Sequence, residues 1–204
     1  MTNRRARPEE ERLFIAIALP SPWLETLERH MDGVRSRLAS SEETRGARVR
    51  WVRPEGIHLT LKFLGEVVPA KRRAIEATLA ATVTNALDLR LEMGEVGAFG
   101  EHRVPRVLWV GVGGQIQELT ALAGRVDAAM EGVGFAPERR PFAPHLTLAR
   151  LSDDMPPALR QRVVQISGEV GLPACAPFDA QEVALFRSHL GPGGSRHEIV
   201  ARWP

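Results

Sequence analysis

Cysteine is nearly absent from this chain: Cys175 is the single one in 204 residues. An internal disulfide is therefore impossible, and no covalent framework shapes the fold. Cys175 also lacks a recognisable partner for nucleophilic chemistry and reads as a small, partly buried residue. Long apolar runs are missing, and no signal peptide is legible, so no membrane partner is expected and the default location is cytoplasmic. Charge of one sign is missing too. The 27 Lys and Arg against 25 Asp and Glu leave a formal charge of +2, which excludes a polycationic nucleic-acid coat. Arginines do cluster near the amino terminus, between Arg45 and Arg53, and at Arg139–Arg140. Such clusters more often mark a solvated face than a binding surface. What remains is ordinary globular composition, 44% hydrophobic and 25% charged, in a chain long enough for one large domain or two small lobes around a cleft.

Residues Met1–Glu11 are polar and charged and read as a flexible tail. Leu13–Leu19 is almost wholly apolar, a buried strand ended by Pro20. A helix over Ser21–Ala39 follows, with Ser21 as N-cap, Pro22 at the first helical position and an apolar stripe through Trp23, Leu27, Met31 and Val34. Strands are expected at Val49–Val52 and His58–Gly65, a helix over Lys71–Ala86, and a strand through Leu89, Leu91 and Met93. Gly97, Gly100 and Pro105 suggest a loop, Val107–Gly113 a strand, and Gln115–Gly132 a helix. A strand from His145, a short helix over Pro157–Ile166, and strands at Phe178–Ser188 and Glu198–Trp203 complete the pattern.

The two halves repeat. An apolar strand from Arg12, a helix and the tetrapeptide HLTL at His58–Leu61 match a strand from Arg106, a helix and HLTL at His145–Leu148. The period is too long for a solenoid. The expected fold is therefore α+β and bilobal, a pseudo-twofold duplication over residues 12–204 in which two antiparallel sheets flanked by helices face each other across a cleft.

Strand alternation puts His58, Thr60 and Lys62 on one face and Leu59, Leu61 and Phe63 on the other; His145 and Thr147 are likewise opposite Leu146 and Leu148. Each lobe thus offers one imidazole and one hydroxyl. A single His-x-Thr is unremarkable, but two copies with the same leucines at equivalent points of a repeat are informative. Zinc wants three or four ligands, and threonine is a poor one, so no metal and no cofactor is expected. Two imidazoles titrating near neutrality suit proton transfer instead, one activating a nucleophile and the other protonating a leaving oxygen. The hydroxyls suit non-bridging phosphate oxygens.

On these motifs the chain resembles the two-histidine (2H) phosphoesterase superfamily, in particular the RNA 2′,3′-cyclic phosphodiesterases, also called 2′-5′ RNA ligases. The resemblance runs through RLFIAIALP (Arg12–Pro20), HLTLKFLGE (His58–Glu66), VLWVGV (Val107–Val112), PHLTLAR (Pro144–Arg150) and the closing LFRSHLGPGGSRHEIVARWP. It implies hydrolysis of RNA 2′,3′-cyclic phosphate ends to 2′-phosphomonoesters, and reversible 2′-5′ ligation beside it. It also implies His58 as proton donor, His145 as proton acceptor, and Thr60, Thr147 and Arg150 as phosphate-binding residues. On sequence grounds the two histidine roles are interchangeable. Alternatives are a phosphodiesterase for small cyclic nucleotides or an ADP-ribose cyclic phosphate, and a nucleotide-binding module without turnover. A monomer is expected.

One departure is that the family's tyrosine near the last strand is replaced by His197, in a chain with no tyrosine at all. This bears on substrate preference more than on the hydrolytic core. His30, on a helix, and His102, in a loop, are expected to be solvated. His189 is expected in a turn, and Lys62 is as well suited to a peripheral salt bridge as to a phosphate.

Overall fold

Leu13, Phe14, Ile15, Ala16 and Ile17 are each at most 2% exposed, so the first strand is covered on both faces and occupies the interior of a sheet. The computed structural model describes residues 10–83, 88–101, 104–191 and 194–204. The expected tail up to Glu10 lies almost wholly outside these residues, as does His102. The first strand, β1 (Glu11–Ala18), starts within the stretch read as tail: Glu11 pairs with Arg72 and Arg187.

The helix α1 (Ser21–Ser40) buries Trp23, Leu27, Met31 and Val34, the stripe that the spacing predicts, and His30 beside them. Ser21 does not cap it. Pro20 occupies the cap, and its carbonyl accepts from the amides of Trp23 and Leu24. Then come β2 (Val49–Trp51), β3 (His58–Val67), α2 (Pro69–Thr82), β4 (Leu89–Glu101) and β5 (Val104–Gly114). The second half continues with α3 (Ile116–Gly132), β6 (His145–Leu151), α4 (Pro157–Val170), β7 (Phe178–Ala180), β8 (Val183–Gly191) and β9 (Gly194–Trp203).

Two antiparallel sheets result, ordered β3-β1-β8-β9 and β2-β6-β5-β4-β7. They are not the two sequence halves. After α2 the chain crosses to the second sheet as β4, and after α4 it returns to the first as β8 and β9. The stretch Phe178–Ser188, read as one strand, is therefore two strands in different sheets, interrupted at Gln181–Glu182. The expected loop around Gly97 is also strand, because Gly97 pairs with Trp109 in the long β4–β5 ladder. The exchange knits both halves into one continuous apolar core. The helices α3 and α4 pack on β3 and on β4–β5, and α1 packs on α4.

His30 belongs to that helix contact and is not solvated, being 1% exposed. Its Nδ1–H donates to Gly171 O at 2.6 Å, and its Nε2 accepts from Ser167 Oγ at 3.0 Å, both in or next to α4. Burial lowers its pKa, so the neutral ring is a satisfied core group joining the first helix to the last.

Candidate active site

Both HLTL strands are edged by the same irregularity. In β3 the register with β1 slips so that Ala16 pairs with Thr60 and Ile15 with Lys62, leaving Leu61 as an extra residue. In β6 the register with β5 slips in the same place: Trp109 pairs with Thr147 and Leu108 with Ala149, leaving Leu148 extra. These are β-bulges, and each inverts the alternation downstream. His58, Thr60 and then Phe63 share one face of the first sheet with Phe14, Ala16 and Ala18. On the second sheet His145, Thr147 and then Arg150 share a face with Val107, Trp109 and Gly111. The bulge thus brings the exposed Arg150 to the side of His145 and Thr147.

The same bulge corrects two expectations. Lys62 does not share the face of His58; it is 2% exposed, and its ammonium is held by Asp127 of α3 and by Ala136 O at 2.9 Å. Phe63 does not enter the core; it is 63% exposed.

The two histidines are held alike. His58 Nδ1–H donates to Gly56 O at 2.8 Å, and His145 Nδ1–H donates to Ala143 O at 2.7 Å, each the carbonyl two residues back. A carbonyl partner fixes the tautomer and leaves Nε2 as the nitrogen available for proton transfer. The rings are close enough for a charge on His145 to lower the pKa of His58.

Their surroundings differ. His58 stacks on Phe14 at a centroid distance of 4.4 Å and lies 5.7 Å from Phe186. His197 meets it edge-on at 5.1 Å. Desolvation in this apolar setting, then the neighbouring His197, push the His58 pKa down to about 4. His145 is bordered by Phe99, edge-on at 4.8 Å, and by Trp109 at 6.5 Å. His197, expected only as a departure from a family pattern, is a wall of the site, on the same side of β9 as His58, with its Nδ1 buried and without a hydrogen-bond partner among the described residues. His189 lies in β8 rather than in a turn, and its Nε2 faces Glu198 at 3.2 Å.

Phe14, Phe186, Phe99 and Trp109 escaped the sequence reading as site residues because apolar residues on strands read as core. Only Gly97 carried a signal. A Cβ there would lie 2.3 Å from Trp109 Cη2, so glycine is what lets the indole lie across β4. Gly97→Ala should displace Trp109 and disturb the wall beside His145. Expected is a fall in kcat/KM on the order of tenfold to a hundredfold with unchanged far-UV circular dichroism; an unaltered rate would show that the indole does not matter.

Acid sensitivity follows from the buried imidazoles. The folded pKa of His58, about 4, lies below the unfolded value, so protons favour the unfolded chain. Stability is intact above pH ~6.5 and is lost as pH falls towards 4, by about 3 kcal/mol at most. His30 and His197, both lowered mainly by burial, act in the same direction. Urea unfolding at pH 7 and pH 4.5 should show the loss, and His58→Asn should reduce it; a pH-independent midpoint would contradict this assignment.

Among the described residues no group of three or more His, Cys, Asp or Glu is placed to hold a metal ion, and no helix is long and apolar enough to cross a membrane.

Comparisons with known proteins agree with this architecture. The family model described as the 2′-5′ RNA ligase superfamily matches residues 15–192. An RNA 2′,3′-cyclic phosphodiesterase of Methanothermobacter thermautotrophicus is 32% identical over 183 residues, covering 90% of this chain and 92% of that protein. One of Geobacillus stearothermophilus is also 32% identical, over 94% of this chain, but the chain spans only 56% of that relative's length. Among solved structures, Escherichia coli LigT complexed with NADP+ superposes with a TM-score of 0.67 at 27% identity, covering 96% of this chain and 97% of that one. TT0787 of Thermus thermophilus, at 24% identity and TM-score 0.66, shares the fold over 94% of this chain and 96% of its own. With a family match over most of its length and a full-length relative above 30% identity, the chain belongs to the 2′-5′ RNA ligase superfamily of 2H phosphoesterases.

Proposed function

We propose that this protein is an RNA 2′,3′-cyclic phosphodiesterase that opens cyclic phosphate ends to 2′-phosphomonoesters, with His58 and His145 as its proton-transfer pair. The observation that carries this reading is the mirrored setting of the two imidazoles. Each is tied through Nδ1 to the carbonyl two residues back, and each shares a strand face with a threonine.

In the proposed reaction His145 takes a proton from a water that attacks phosphorus in line. The bond from phosphorus to the 3′ oxygen breaks, and His58 gives that oxygen its proton. Thr60 and Thr147 donate to the non-bridging oxygens, and Arg150 adds a fixed positive charge on the His145 side. His58 is neutral in the protein alone, since its pKa is about 4. The negative phosphodiester arriving beside it favours the protonated ring, so substrate binding and proton uptake are coupled. With a ribose 5′-hydroxyl attacking in place of water, the same transfers in the same direction join a 2′-5′ linkage and free the 3′-hydroxyl; exchanged roles run the reverse, in which the 3′-hydroxyl re-forms the cyclic phosphate. No metal or organic cofactor takes part.

The position of the product phosphate tests the assignment of the leaving oxygen. A purely 2′-phosphorylated product, resolved by 31P NMR, is expected. A 3′-phosphate would mean that the 2′ oxygen leaves and would overturn it.

A further inference from the structure

The bulge that buries Lys62 has a second effect: it sets Phe63, 63% exposed, on the same face as His58. The Phe63 ring centroid is 6.0 Å from that of Phe14, which stacks on His58. Opposite Phe63 runs the segment from Phe135 to Arg140, and between them lies an open hollow of about 580 Å³, enough for a nucleobase.

The far wall is held in place. Lys62 Nζ donates to Ala136 O at 2.9 Å, and the amide of Glu138 donates to both carboxylate oxygens of Asp127 at 3.2 Å. Arg139 and Arg140 are both exposed, and among the described residues neither has an acidic partner. Together they outweigh the neighbouring Glu138. The same segment then leads through Phe142 to His145, so the hollow is walled by the strand of His58 on one side and by the stretch that leads into the strand of His145 on the other.

We infer that this hollow is a subsite for a second nucleotide of the RNA strand, with its base stacked on Phe63 and its phosphate held by Arg139 and Arg140. The inference rests on the RNA-end reading of the site above. A strand that ends in a 2′,3′-cyclic phosphate continues only on its 5′ side, so the occupant is the nucleotide preceding the terminal one. Stacking on an exposed ring is indifferent to base identity, while the guanidiniums recognise the backbone. The subsite therefore gives the enzyme a preference for chain ends over free cyclic nucleotides, without sequence specificity.

The test compares kcat/KM for a mononucleoside 2′,3′-cyclic phosphate with that for a dinucleotide carrying the same end. The native protein should favour the dinucleotide on the order of tenfold or more. Phe63→Ala, and separately Arg139→Ala with Arg140→Ala, should lower the dinucleotide value about tenfold more than the mononucleotide value. The arginine variant should also flatten the salt dependence of dinucleotide KM, by about 0.7 in log–log slope. Equal use of both substrates by the native protein, or variants that alter both equally or neither, would overturn the subsite. Should neither substrate turn over, the function proposed above fails. Calorimetric affinity for a dinucleotide against a mononucleotide 2′-phosphate, in the same variants, then decides the subsite by the same ratios.

Discussion

Replacing His58 or His145 by alanine is expected to lower kcat on cyclic-phosphate ends by about 10²–10⁴, the usual worth of one positioned proton-transfer group. The double variant should be little worse than either single one, because donor and acceptor act in one concerted transfer and removing either disables both. KM should change far less, since Thr60, Thr147 and Arg150 remain on the cleft faces to hold phosphate. Stability should separate the two positions. His58 lies against Phe14, Phe186 and His197, so His58→Ala leaves a gap in an aromatic cluster, whereas His145 is more open. The alkaline limb of the native pH–rate profile, along which the proton donor is lost, reports the coupled pair rather than one ring. It should lie above the value of about 4 that His58 has without substrate, because bound phosphate raises it. Near-native kcat in either single variant would remove the paired-histidine mechanism.

The second large effect is on stability. Lys62 is almost fully buried, and Asp127 is its charged partner; the other contact is the carbonyl of Ala136. Asp127→Ala leaves an ammonium in the interior without a counter-charge and should cost about 3–5 kcal/mol. For a domain of this size that is a fall in Tm of about 10 °C. It also frees the amide of Glu138, so the segment bearing Arg139 and Arg140 should loosen. Adding Lys62→Met in the same chain should restore most of the stability, because an apolar side chain of similar length suits the space. Failure of the second substitution to rescue would show that the cost lies in the segment rather than in the unpaired charge.

The same lysine shows where the sequence was legible and where it was not. The apolar run from Leu13, the helical stripe from Trp23 to Val34 and the paired HLTL strands are local patterns, and each marks a real element. A bulge is not local in that sense. It depends on how β3 pairs with β1, and one extra residue at Leu61 was enough to exchange the faces of Lys62 and Phe63. The bulge at Leu148, by contrast, brings Arg150 to the face of His145 and Thr147. The exchange of β4 and β8 between sheets is also a tertiary event, which periodicity cannot report because a strand's pattern does not name its neighbour. His30 misled for a simpler reason. A polar residue on a buried stripe is satisfied only by partners on α4, far along the chain.

Of the site itself, the histidines and threonines were legible because a repeated motif exposes them, while the aromatic walls were hidden by their likeness to core. Those walls now give the two imidazoles unequal environments: His58 is enclosed by Phe14, Phe186 and His197, and His145 is bordered by Phe99 and Trp109. The proposed mechanism needs the two rings to differ in protonation, and that inequality would serve it.

The most direct measurement incubates the purified protein, in EDTA, with an oligoribonucleotide ending in a 2′,3′-cyclic phosphate and follows the end group with time. Complete conversion to a 2′-phosphomonoester without added metal is the expected result. Ends that stay cyclic, or that open only when a divalent cation is restored, would contradict the paired-histidine account.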